Sequence, residues 1–259
     1  MACTQVIRFD EVVYGIDISS NGELLAIGMN KSVQLLTRYG NFVTTLNNED
    51  PYMNSITFSP AGFLPSLLAT SSSVGFVRVW DCDSGACVAR LESHLSKPMH
   101  CAAFSPNGRL LAATSGDQYV QLWRTDDWSF PSTVLVCDDL WPLRLSFSCD
   151  SRLLVADTGN MLWRILDSDV PTAVSIAVKD DDYSSYCMAF SPTDNNLLAR
   201  GGEAGSLVLS RVGESTVVGS RVLQGHTRGV WDLAFSPCGK QLASVTFALT
   251  VRVWNVARA

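Results

Sequence analysis

Residues Gly225 to Asn255 read GHTRGVWDLAFSPCGKQLASVTFALTVRVWN. Trp231, Leu233 and Phe235 alternate with Asp232 and Ala234, the period-2 pattern of a strand with one apolar face. Ser236-Pro237-Cys238-Gly239 follows as a turn, because Pro fixes φ and Gly tolerates φ > 0. Two further short apolar runs, Leu242 to Val245 and Val251 to Trp254, complete three antiparallel strands. Three strands in about 30 residues form too thin a sheet to bury a core alone, so this unit needs neighbours.

The neighbours are present as copies. Ile18, Phe58, Phe104, Phe147, Phe190 and Phe235 each end a short alternating run and open a Ser-rich turn, at intervals of 40, 46, 43, 43 and 45 residues. Such a period is the mark of a stacked repeat architecture, in which each unit buries its faces against the next. With Gly225-His226 at the start of a copy and Trp80-Asp81 at the end of another, the chain resembles the WD40 family of β-propellers along essentially its whole length. The resemblance implies an all-β WD40 β-propeller of six four-stranded blades, although seven is the commoner family number. Residues 1–259 are expected to form a single domain. Its repeats fall at about 14–46, 52–92, 98–136, 141–178, 184–223 and 225–259, the last completed by a strand at residues 4–9. Such closure would remove exposed sheet edges.

Composition narrows the function. The chain has 259 residues, 47% hydrophobic and 17% charged, so disorder is not expected. A net charge of −6 argues against direct nucleic-acid binding. No apolar run reaches the length of a membrane span, and Met1 to Val6 lacks a signal-peptide pattern, so an intracellular protein, cytoplasmic or nuclear, is expected. Of eight cysteines, Cys101 and Cys187 each sit three residues before an anchor Phe. Equivalent positions in different blades suit small core side chains, and all eight thiols are expected to be reduced. Cys82 and Cys87 flank a turn, with no second pair to make a zinc site.

The resemblance also implies a buried hydrogen-bond network of His, Ser or Thr, Asp and Trp in each blade. Repeat 3 has His94, Asp117 and Trp123 with Ala113 in the Ser/Thr place. Repeat 6 has His226, Ser244 and Trp254 with Ala248 in the Asp place, and repeat 2 keeps Thr70 and Trp80. These are read as structural groups, not a catalytic set. Gly201-Gly202-Glu203-Ala204-Gly205 lacks the Lys-Ser/Thr and following helix of a phosphate loop and reads as a turn. No catalytic residue, metal site or cofactor is expected.

Binding residues are sought where the first strand of each repeat begins. In the family, positions four and six before the anchor open onto the top face around the channel. Here they include Tyr14, Tyr52, Asn54, His100, Trp141, Leu143, Tyr186 and Trp231. Aromatics at such a rim suit interface anchors, though some could instead cap the channel or pack between blades. Glu49-Asp50, Asp138-Asp139 and Asp180-Asp181-Asp182 lie in loops feeding the same face and would steer a basic ligand. The expected function is therefore a non-enzymatic scaffold or adaptor subunit of a larger complex, binding protein segments, possible basic ones included, on the top face. The alternative is a propeller that binds phosphoinositides at a membrane surface. Arg200-Gly201-Gly202 is the nearest approach to the paired arginines this would use, and the chain has no Arg-Arg pair.

Overall fold

A computed structural model describes residues 6–47, 51–62, 66–93, 96–128, 133–136, 143–156, 161–166, 172–176, 185–203, 205–214 and 216–256. Among them are six antiparallel sheets and no helix. Blade 1 comprises β1 (Gly15–Ile18), β2 (Leu24–Gly28), β3 (Ser32–Thr37) and β4 (Phe42–Asn47). Blade 2 comprises β5 (Met53–Phe58), β6 (Leu67–Ser72), β7 (Phe76–Asp81) and β8 (Cys87–Glu92). Blade 3 comprises β9 (Met99–Phe104), β10 (Leu110–Ser115), β11 (Tyr119–Arg124) and β12 (Thr133–Val136). Blade 4 comprises β13 (Leu145–Phe147), β14 (Leu153–Ala156), β15 (Met161–Leu166) and β16 (Thr172–Ile176). Blade 5 comprises β17 (Ser185–Phe190), β18 (Leu197–Gly202), β19 (Leu207–Val212) and β20 (Val217–Leu223). Blade 6 comprises β21 (Val230–Phe235), β22 (Gln241–Thr246) and β23 (Val251–Asn255).

Strands in every sheet pair in sequence order, so each blade is a meander. The turns after the first strands of blades 1, 3 and 4 are built alike, as Ser19 and Asn21 show in blade 1. Ser105 and Ser148 Oγ accept the N–H groups of Leu110 and Leu153, and the same hydroxyls donate to Asn107 and Asp150. These Ser-x-Asn/Asp turns fix where the second strand starts, and so fix the register of the blade.

Five of the six apolar clusters among the described residues lie between blades, one for each neighbouring pair. Val33, Leu35 and Leu46 of blade 1 meet Ile56, Phe58 and Trp80 of blade 2. At the other end, Leu207, Leu209 and Leu223 of blade 5 meet Val230, Leu233 and Leu242 of blade 6. Hydrogen bonds add to the packing. Asp17 Oδ2 in β1 accepts from the Phe58 N–H of β5 at 2.7 Å, and Ser146 Oγ in β13 accepts from the Phe190 N–H of β17 at 3.2 Å. Both acceptors sit one residue before their anchor, so one repeat position serves one joint.

The expected closing strand at residues 4–9 is corrected in part. Residues 6–9 form no strand, and residues 4 and 5 lie outside the described set. Phe9 instead packs against the cluster of Ile27, Met29 and Leu36 in blade 1. Among the described residues blade 6 accordingly has three strands, not four. The innermost strands pack as β1–β5, β5–β9, β9–β13, β13–β17 and β17–β21, with no comparable packing of β21 on β1. No helix of the described residues is long and apolar enough to cross a membrane.

Candidate functional site

Since all blades share one strand order, their first strands run the same way and begin on one face of the arc. Trp231, the second residue of β21, is half exposed and meets the Phe247 ring edge-on, with centroids 4.9 Å apart. Phe247 was not expected from the sequence pattern. It lies in the β22–β23 turn, and the pairing of Val230 with Thr246 carries that turn to the start of β21. Antiparallel pairing of the two strands is the signal that could have located it. Tyr186 stands nearby on blade 5. It is partly exposed, and its ring approaches the site a side chain would take at Gly229. Desolvation and then Glu203 push the Tyr186 hydroxyl pKa up.

A second aromatic pair lies at the opposite end of the arc. Tyr14 and Tyr52 are exposed, and both adjoin Asn30. Asn30 Oδ1 accepts the Tyr52 N–H at 2.8 Å, while the Tyr52 carbonyl accepts from Ser73 N at 3.0 Å. These two bonds hold Tyr52 at φ 62°, left-handed backbone that costs a bulky residue roughly 1–3 kcal/mol. Asp10 and Glu11 line an open groove with Tyr14.

Two residues expected at the rim serve the framework. Asn54 Nδ2 donates to the Met99 carbonyl at 2.7 Å and its Oδ1 accepts from Ser73, which ties blade 2 to blade 3. His100 is half buried against Gly116, and burial lowers its pKa. Leu143 is exposed. Trp141 and the acidic residues Glu49, Asp50, Asp138, Asp139, Asp180, Asp181 and Asp182 lie outside the described residues. Asp232, beside Trp231, pairs with Arg144, a link from blade 6 to blade 4.

The blade networks are visible in part. Trp254 Nε1 donates to Ser244 Oγ at 2.8 Å, and His226 Nε2 lies 2.8 Å from the same hydroxyl. Ala248 supplies no acceptor, and Thr250 Oγ1 stands 3.4 Å from His226 Nδ1 instead. Trp80 Nε1 donates to Thr70 Oγ1 at 3.0 Å. In blade 5 the same two positions are Arg200 and Ser210, and the guanidinium now donates to the hydroxyl at 3.1 Å. Arg200 is 2% exposed, so the residue nearest to a phosphoinositide motif is enclosed within its blade. Asp117 accepts from Ser115, and Trp123 is buried; His94 lies outside the described residues.

Gly201 and Gly205 have structural roles. A Cβ at Gly201 would come within 2.6 Å of Cys187 Sγ and 2.7 Å of the Val230 side chain. Gly205 has φ +80°, and a Cβ there would come within 2.7 Å of the His226 carbonyl. The glycines thus let blades 5 and 6 approach. Cys82, Cys149 and Cys238 of the described residues are free thiols, and the thiols of Cys87, Cys101 and Cys187 donate to backbone carbonyls. Burial, reinforced by Asp83 and Asp81, pushes the Cys82 thiol up to about 12. Among the described residues no cluster of His, Cys, Asp and Glu could hold a metal ion.

Comparison with known proteins agrees with this geometry. Residues 85–124 and 219–255 match the family model for the WD domain, G-beta repeat. Apoptotic protease-activating factor 1 of Danio rerio is 30% identical over 204 residues, covering 78% of this chain and 16% of that protein. Transcription initiation factor TFIID subunit 5 of Caenorhabditis elegans is 22% identical over 247 residues, 95% of this chain and 35% of that one. A chain in the crystal structure of the mitotic checkpoint complex shares the fold with TM-score 0.78 at 18% identity, covering 94% of this chain and 76% of that one. The chain therefore spans only a fraction of the relatives it matches.

Proposed function

The chain belongs to the WD40-repeat family of β-propellers, and from that premise we propose that it is a non-enzymatic scaffold that binds extended basic protein segments at the rim where its first strands begin. WD40 propellers generally serve as protein-interaction scaffolds, so the open question is which surface this one uses. The observation that carries the reading is the exposed Trp231–Phe247 edge contact, with Tyr186 on the neighbouring blade. Rigid aromatic rings on strand ends offer large contact area at low entropic cost and attract cations. The left-handed backbone of Tyr52 supports the same face, since strain of this kind concentrates at functional sites.

The net charge of −6 and the acidic loop sequences favour a basic ligand and an association rate that falls with salt. The protein would act as an intracellular subunit of a larger complex. The test is binding to an array of extended Lys/Arg-rich peptides, followed by variants. Trp231→Ala should lower affinity by about 2 kcal/mol, roughly 30-fold, and Tyr186→Ala by less. Pro106→Ala, in the exposed β9–β10 turn at the far end of the first strands, should leave it unchanged. Full affinity in both aromatic variants, with the fold intact, would remove this surface from consideration. An affinity that falls in them yet ignores salt would keep the aromatic part and discard the electrostatic one.

A further inference from the structure

Arg144 and Asp232 form an ion pair between blades that are not neighbours. Blade 5 stands between blades 4 and 6, whose apolar joints are made with it and not with each other. Both residues stand three before their anchors, Phe147 and Phe235, at the innermost strands, so the pair crosses the inside of the arc. At the same repeat position the other blades have Gly15, Ser55, Cys101 and Cys187, which are neutral. Ser55 Oγ accepts the Ala102 N–H at 3.0 Å, and Cys187 Sγ donates to the Val230 carbonyl at 3.5 Å. There the position serves a joint with the next blade. In blades 4 and 6 it holds opposite charges instead.

Strand geometry sets Asp232 beside an exposed ring. Val230 and Leu233 both pack into the joint with blade 5. Residues three apart share a face of a strand only where a bulge breaks the alternation, and the pairing of β21 with β22 shifts there, from Val230–Thr246 to Asp232–Val245. Trp231 and Asp232 are therefore both turned away from the joint. Trp231 is 49% exposed, and the side chains of Arg144 and Asp232 are 39% and 44% exposed. Asp232 Oδ1 also accepts the Leu233 N–H at 2.8 Å, which orients the carboxylate while water still reaches it. An ion pair this exposed is held weakly, so another cation can exchange with Arg144.

We propose that Asp232, beside the Trp231 indole, is the subsite for an arginine side chain of the bound segment, and that Arg144 fills it in the free protein as an internal competitor. The proposal rests on the rim reading above and names the side chain that the rim selects. A guanidinium is the group the chain itself places on Asp232. Its planar fork matches a carboxylate through two parallel hydrogen bonds, and its face stacks on an indole, whereas an ammonium is a compact, strongly hydrated point charge. Arg144 is tethered next to β13 and reaches Asp232 from across the arc. A ligand arriving at the rim can take the carboxylate and the exposed indole together. Binding breaks the internal pair, so Arg144 lowers the affinity of the site it occupies.

The probes are two extended peptides of the same length and charge, one with arginine and the other with lysine at every basic position, followed by fluorescence anisotropy at fixed salt. The arginine peptide should bind the unmodified chain about fivefold more tightly. Arg144→Gln should raise its affinity about threefold, and Asp232→Asn added to Arg144→Gln should remove both that gain and the preference for arginine. Asn keeps an oxygen for the Leu233 N–H, and the melting temperature of the double variant checks that the fold is intact. Arg109→Gln removes the same charge from the exposed β9–β10 turn and should leave affinity unchanged, which separates a local competitor from net charge. Equal binding of the two peptides, or an Arg144→Gln variant that gains nothing, would overturn the subsite, while a loss in Trp231→Ala would still uphold the rim. If neither peptide binds any of these proteins, Arg144→Gln included, both readings fall.

Discussion

Ser244 is a single hydroxyl with two clients, the partly buried Trp254 Nε1 and the buried His226 Nε2. Ser244→Ala removes the acceptor of one and the partner of the other, and orphaning buried polar groups costs about 1–3 kcal/mol. Urea denaturation should show a loss of that size, and Thr70→Val, which strands Trp80 Nε1, should behave alike. His226 adds a pH dependence. Burial first, and then Arg252, lower its folded pKa below the ordinary 6.5. The unfolded chain therefore binds more protons in the window just below pH 6.5, so stability is full above that pH and declines as pH falls through the folded value. His100, lowered by burial, contributes with the same sign. Denaturation midpoints measured from pH 7.5 to pH 5 should fall, and the fall should shrink in His226→Gln. Tyr52 is the opposite kind of residue, since its own fold strains it. Tyr52→Asn, which tolerates φ > 0, should keep or raise the melting temperature while weakening peptide binding.

At the scale of elements, a blade is a meander whose turns set the register and whose first strand sets the joint. The β18–β19 turn shows how little room the joint leaves. Gly205→Ala combines a left-handed backbone with a Cβ driven onto the His226 and Arg228 carbonyls. Neither carbonyl is a flexible chain end, so the variant should lose more than about 1 kcal/mol and loosen blade 6 relative to blade 5. Hydrogen exchange of β21 amides should rise in this variant while that of β5 stays constant. A uniform rise, or none, would show that the turn does not govern this joint. The Gly-rich spelling of this segment is therefore a packing requirement between blades.

At the scale of the molecule, five apolar joints hold six blades, and among the described residues no sheet packs on the outer face of blade 1, where Phe9 lies, or of blade 6. Val77 and Val251 hold the same strand position in blades 2 and 6, one fully buried and one 69% exposed. Val77→Lys would bury an unpaired ammonium and should prevent folding. Val251→Lys should change the melting temperature little, because its side chain is already in water, and should reduce self-association at the β23 edge. Circular dichroism and light scattering on the two variants check both outcomes. Equal damage from the two substitutions would mean that the end faces are covered in solution.

The repeat period, the alternating anchors and the Ser-Pro turns were enough to read a WD40 propeller and to place its six sheets in the chain, because strand and turn formation depend on neighbours a few residues away. The Trp-Ser and Trp-Thr pairs were legible for the same reason, ten residues apart on paired strands. What required the tertiary structure is everything decided by the next blade. Thr250 stands in for the acidic partner that Ala248 does not provide, and Phe247 completes the Trp231 cluster through strand pairing. Arg200 is enclosed by Ser210, and Phe9 turns onto blade 1 instead of closing blade 6. Val77 and Val251 have the same place in the same alternating pattern. Only the presence or absence of a sheet against that face makes one of them core and leaves the other exposed.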